Sequence, residues 1–140
     1  MIHLDTHVLV WVLAGEHARL PAPVRTLLDT ERLAVSPMVE LELTYLHETG
    51  RVSAPAREVL AELSPVLELI MSTAPFDRIV AQASTLTWTR DPFDRLIAGN
   101  ALADRADLLT ADQTMRRHLP LGSLAGVTGF FVLSGHSGCR

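Results

Sequence analysis

Asp5, Glu42, Asp94 and Asp112 stand in the segments IHLDTHVLVW, SPMVELELTYLHETGR, RDPFDRLIAGNALA and DLLTAD. Asp5 and Asp112 follow apolar, strand-like runs, whereas Glu42 lies about two turns into a helical pattern and Asp94 in the first turn of another. Burying a carboxylate without a partner costs on the order of several kcal/mol. Four that converge from distant parts of a chain therefore need a cation between them. Hard divalent ions such as Mg²⁺ or Mn²⁺ take oxygen ligands, keep some of their waters and pair with phosphate substrates. These residue types point to a metal-dependent enzyme acting on a phosphodiester, RNA foremost.

Each acid also has a structural reading. Asp91 has the pattern of a helix N-cap with Pro92 at the first helical position, which places Asp94 at the third, where acids are common for capping reasons alone. Asp112 after LLT fits a turn. Glu42 shares a helical face with Val39, Leu43 and Leu46, whereas Glu40 shares one with Leu43, Thr44 and His47, so Glu42 is the better candidate for an inward acid. Asp5, wedged between Leu4 and Thr6 after an apolar strand, resists explanation as surface decoration.

The elements that must position these residues alternate in type. Ile2–Leu4 reads as a short strand, followed by a helix from His7 that Gly15 stops. A second helix spans Ala22–Thr30. Leu33–Val35 is a strand, and Ser36-Pro37 opens a helix that Gly50 ends. Ala54–Leu63 reads as an amphipathic helix, Val66–Met71 as a strand and Pro75–Leu86 as a helix. The next helix starts at Asp91-Pro92 and runs through Ala103. Leu108–Thr110 is a strand, a short helix with Met115, Arg116 and Arg117 follows, and residues 130–133 form the last strand. Near-continuous apolar strands alternating with helices predict a parallel sheet covered on both faces. In such sheets ligands gather at the carboxyl ends of the strands near a topological switch point, and Asp5 and Asp112 would meet there if their strands are neighbours. Asp94 would sit by the positive end of its helix.

The 140 residues suit one domain, expected over 1–133, with 134–140 (SGHSGCR) as a flexible tail. With 48% hydrophobic and 20% charged residues the chain can build a core. Its formal net charge of −4 gives no overall attraction for nucleic acid, so RNA binding would need a local basic patch and metal. All 12 basic residues are arginine, which excludes lysine nucleophiles and a P-loop lysine and suits bidentate phosphate contact. One cysteine, Cys139, excludes an internal disulfide and a cysteine-based zinc site. It agrees with a reducing, cytoplasmic location. The apolar N-terminal run carries Asp5, lacks a basic flank and is too short to cross a membrane. His3 and His7 straddle a strand-to-helix junction and share no helix face, which argues against zinc. His17, His47 and His118 lie on polar segments, and Trp11 is expected in the core.

The motifs LDTHVLVW, VELELTYLHETGRV and RDPFDRLIAGNALADRADLLTAD resemble the PIN-domain family, and most closely the VapC-type ribonuclease toxins of bacterial toxin–antitoxin pairs. The resemblance runs from about Met1 to Leu133. It implies an α/β/α sandwich with a parallel sheet of four or five strands, and Mg²⁺ or Mn²⁺ held at its carboxyl edge. It assigns catalytic roles to Asp5, Glu42, Asp94 and Asp112, with Asp5, Asp94 and Asp112 on the metal. Thr6, Asp91, Arg95 and Thr110 would support them, and Arg116 and Arg117 would reach the RNA backbone. His7 stands where Asn or Ser is frequent. The implied activity is endoribonucleolytic, by a homodimer that a cognate antitoxin inhibits. In the implied chemistry a carboxylate orients or deprotonates the attacking water, and an arginine screens transition-state charge. Unpaired RNA is the expected substrate.

The alternative is a PIN-like nucleic-acid-binding module with weak or no nuclease activity, which the full set of four acids disfavours. A phosphoacceptor receiver domain would need a lysine that is absent. An aspartyl-phosphate phosphatase would need an acid two residues after Asp5, where His7 stands.

Overall fold

Short runs of apolar residues become strands because both of their faces are covered. In the computed structural model, which describes residues 1–118, 121–122 and 131–133, β1 (Ile2–Leu4) and β2 (Leu33–Val35) are buried at every position. The helices are α1 (Thr6–Leu13), α2 (Ala22–Thr30), α3 (Pro37–Glu48), α4 (Ala56–Leu67), α5 (Phe76–Thr85), α6 (Pro92–Ala103) and α7 (Gln113–His118). The remaining strands are β3 (Ile70–Met71), β4 (Asp107–Thr110), β5 (Leu121–Gly122) and β6 (Phe131–Leu133).

The sheet runs β3-β2-β1-β4-β6-β5. Its four strands β3, β2, β1 and β4 are parallel, as the alternation of strands and helices predicts. The last strand, β6, pairs antiparallel with β4 and with β5. From β1 the chain winds outward through β2 and β3, then returns to place β4 on the other side of β1. The order therefore reverses between β1 and β4, and that is the switch point. The β1–β4 register aligns Ile2 with Asp107, His3 with Leu108 and Leu4 with Leu109. The amide of Asp5 donates to the Leu109 carbonyl at 3.0 Å.

Local signals set most boundaries. The Ser36 hydroxyl accepts from the Met38 amide at 3.1 Å and starts α3. Asp91 accepts from the Asp94 amide at 3.1 Å and starts α6. Gly15 and Gly50, at φ 65° and 76°, follow α1 and α3 in a conformation that costs glycine little. One expectation differs in extent. Val66–Met71 reads as a strand, yet α4 continues through Leu67, past Pro65, because Leu67 extends the apolar face of Leu63 by one turn and packs on the core. Glu68, at φ 50°, ends the helix, leaving only Ile70–Met71 for β3. The tail at 134–140 and the side chains of His17, Arg116 and His118 lie outside the described residues.

The core joins β1, β2 and β4 to α1, α3, α4 and α6 through Leu4, Val8, Leu9, Val35, Val39, Leu43, Val59, Ile97 and Leu109. α5 lies against α6 so closely that a Cβ on Gly99 would stand 2.8 Å from the Ala83 amide nitrogen and 2.9 Å from the Ile79 carbonyl oxygen. Backbone atoms cannot swing aside as a side chain would. Gly99→Ala should therefore destabilise the protein by about 1–3 kcal/mol through overpacking, read as a lowered denaturant midpoint with unchanged slope.

Candidate active site

The site is built where helices begin. Asp5 is the N-cap of α1, and its Oδ1 accepts from the Thr6 amide at 2.8 Å. Its Oδ2 accepts from the Thr110 hydroxyl, at the end of β4, at 2.6 Å. Thr110 Oγ1 in turn accepts from the Asp112 amide at 3.0 Å. One oxygen of Asp112 caps α7, accepting from the amides of Thr114 and Met115 at 2.7 and 3.0 Å. Asp91 caps α6 and holds Asp94 in its first turn. The capping expected of Asp91 is thus observed, and Asp5 and Asp112 cap helices as well.

The acids feel one another there. Asp5 is 4% exposed, and burial pushes its carboxyl above the usual range. The bonds from Thr110 and the Thr6 amide oppose that rise, as does His7, while Asp112 adds to it. Glu42 is raised by burial and then by the charges of Asp5 and Asp91. His7 and the Thr6 hydroxyl favour its charged form. The Thr6 hydroxyl is buried and makes no hydrogen bond of ordinary geometry, so its effect on Glu42 is that of a nearby dipole. Asp94 is pushed up to about 7, by burial first and then by Asp91, Asp5, Asp112 and Glu42. The other three candidate acids and Asp91 therefore all lie within electrostatic reach of Asp94. None forms an ion pair among the described residues.

A group of hard oxygen donors that repel one another and lack a cationic partner suits a divalent cation in chemical kind. The arrangement is open: among the described residues no three His, Cys, Asp or Glu side chains are close enough to form a coordination group as they stand. Asp5, Asp94 and Asp112 are the residues that could hold the ion, with Glu42 beside them.

Of the other expected residues, Thr6 and Thr110 touch Asp5. Arg95 points elsewhere: its Nε and Nη2 donate to the carbonyls of Ala83 and Ser84 at 3.1 and 3.3 Å, which satisfies the end of α5 and ties it to α6. Arg117 is exposed. Trp11 is partly buried against the core, with the Arg19 guanidinium 5.3 Å from its ring centre. Sequence reasoning overlooked Asn100, Ser72 and Asp104, which form a largely buried polar cluster with His3. An isolated Asn in the apolar stretch Ile97–Ala103 was the available signal.

The crowding has a consequence for stability. Asp94 binds a proton more readily folded (about 7) than unfolded (3.8). Between these values the folded state holds more protons, so stability falls as pH rises through that window. Thermal melts of metal-free protein should show lower midpoints at pH 8 than at pH 5, and Asp94→Asn should flatten that slope.

The PIN domain profile matches residues 2–118. Over 117 residues the chain is 30% identical to Ribonuclease VapC22 of Mycobacterium tuberculosis (strain ATCC 25618 / H37Rv), covering 82% of this chain and 89% of that protein. Its fold is similar to the crystal structure of VapBC2 from Rickettsia felis bound to a DNA fragment from their promoter. That match has a TM-score of 0.61 and 23% identity, and covers 84% of this chain and 93% of the other.

Proposed function

Since this chain belongs to the PIN-domain family, we propose that it is a Mg²⁺- or Mn²⁺-dependent endoribonuclease, the toxin of a toxin–antitoxin pair. The observation that carries the reading is the set of carboxylates near the β1/β4 switch point, of which Asp5, Glu42 and Asp94 are raised in pKa by burial and neighbouring acids, with no ion pair to any of them among the described residues. The nuclease unit is placed at residues 1–133.

Asp5, Asp94 and Asp112 hold the metal in this proposal. When bound, the ion supplies Lewis acidity toward the scissile phosphate and lowers the pKa of water. The protein's own groups do the rest. Thr110 and the Thr6 amide hold both oxygens of Asp5 in one orientation. Glu42 orients the attacking water and takes its proton. Its raised pKa brings it nearer the working pH, where a general base is most effective. Arg116 and Arg117 contact the RNA backbone in this proposal. Asp91 keeps Asp94 in place through the cap of α6.

RNA is the proposed substrate, with its unpaired segments the more accessible. An antitoxin and a second copy of the chain are the proposed partners. The antitoxin rests on the likeness to the VapBC2 complex. No helix among the described residues is long and apolar enough to cross a membrane, and the proposed location is the cytoplasm. The alternative, a nucleic-acid-binding module with weak or no nuclease activity, draws on the open arrangement of the acids.

Cleavage of total RNA with Mn²⁺ decides between the two. Asp5→Asn and Asp94→Asn should each lower the rate by about 100-fold or more, with thermal unfolding still cooperative. Rates unchanged in both variants would reject the site. Thr110→Val, which frees Asp5 Oδ2, should weaken Mn²⁺ binding by about 10-fold, measurable by calorimetry without RNA.

A further inference from the structure

A second polar cluster is used by no step of the proposed reaction. Asp104, the C-cap of α6, accepts three hydrogen bonds on Oδ2: from His3 Nε2 at 2.8 Å, from the Ser72 hydroxyl at 2.6 Å and from Asn100 Nδ2 at 3.3 Å. Asn100 Nδ2 also donates to Ser72 Oγ at 2.8 Å. His3 and Asn100 are both 0% exposed. Burial lowers the pKa of His3, and Asp104 opposes that shift. His3 Nδ1 and Asn100 Oδ1 are buried without hydrogen-bond partners.

Locally, each choice is unfavourable. His3 interrupts an apolar strand, and Asn100 an apolar helix. Asp104 places negative charge at the end of α6, where the helix dipole opposes it. Two buried polar atoms go unsatisfied. Residues that break local rules together tend to mark function.

Geometry indicates which. His3 lies on β1 two residues before Asp5, which directly follows the strand, about 6.6 Å along the extended chain. Asp94 and Asp104 stand at opposite ends of α6, about 15 Å apart by helical rise. The cluster thus bonds the far end of α6 to the strand that leads into Asp5, while the near end of α6 carries Asp94. Arg95 and Gly99 set α6 against α5. Ser72, directly after β3, adds β2, since its amide donates to the Val35 carbonyl at 2.8 Å.

We infer that the His3–Asp104–Ser72–Asn100 cluster is a positioning device that fixes α6 against β1 and so sets the separation of Asp94 from Asp5. The inference rests on the metal-site reading above. Its test is calorimetric titration of metal-free protein with Mn²⁺, alongside RNA cleavage at increasing Mn²⁺. Ser72→Ala and Asp104→Ala should weaken Mn²⁺ binding several-fold to about 10-fold. Cleavage should recover at saturating Mn²⁺, with KM for RNA unchanged, and Asp104→Asn, which keeps an acceptor, should restore much of the affinity. A purely structural role would lower the unfolding temperature without moving the Mn²⁺ dependence. Should Asp104→Ala not fold, Ser72→Ala decides alone. Wild-type Mn²⁺ affinity in the folded cluster variants, with affinity lost in Asp94→Asn, would overturn this inference only. Absence of Mn²⁺ binding by the wild type would overturn the metal-site reading with it.

Discussion

The Thr110 hydroxyl donates to Asp5 at 2.6 Å, and this bond joins β1 to β4 where the order of the sheet reverses. Much of the site's geometry descends from it. It fixes one oxygen of a buried carboxylate, and the α1 amide of Thr6 fixes the other. The same hydroxyl accepts from the Asp112 amide, so one threonine orders acids from two strands. Without these donors, burial alone would favour the neutral acid at Asp5.

The wider constraint is electrostatic. Carboxylates gathered at one edge repel one another, and that repulsion appears as the upward shifts at Asp5, Glu42 and Asp94. Helices that start at this edge offset part of it, since their N-termini favour negative charge. Asp5, Asp91 and Asp112 are therefore caps and members of the acidic group at once. The two roles are compatible because a carboxylate has two oxygens. In Asp112 the cap of α7 uses only one oxygen, Oδ1.

Beneath that edge the packing explains how α6 holds its place. Its small residues let α5 approach at Gly99. Arg95, expected among the supporting residues, makes a structural contact with the carbonyls at the end of α5. An arginine among acids invites an electrostatic reading from sequence, but side-chain direction on a helix is a tertiary matter. The same holds for Val66 and Leu67. Their β-capable composition suggests a strand, and the helix keeps them because Leu67 finds core to pack against.

Much was legible in the linear chain. Apolar runs of strand length, Ser36-Pro37 and Asp91-Pro92 as helix starts, and glycines as helix ends mark local preferences of the backbone, which few distant contacts can reverse. The acids were legible as candidates because a carboxylate beside an apolar strand is costly unless something compensates it. Their convergence was not legible, since it depends on β4 returning to pair with β1 in a register that aligns Leu4 with Leu109. Nor was the antiparallel entry of β6, or the cluster of His3, Ser72, Asn100 and Asp104, whose members lie up to 101 residues apart. Those features rest on contacts between remote segments, which only the packing of helices against the sheet brings within hydrogen-bond range.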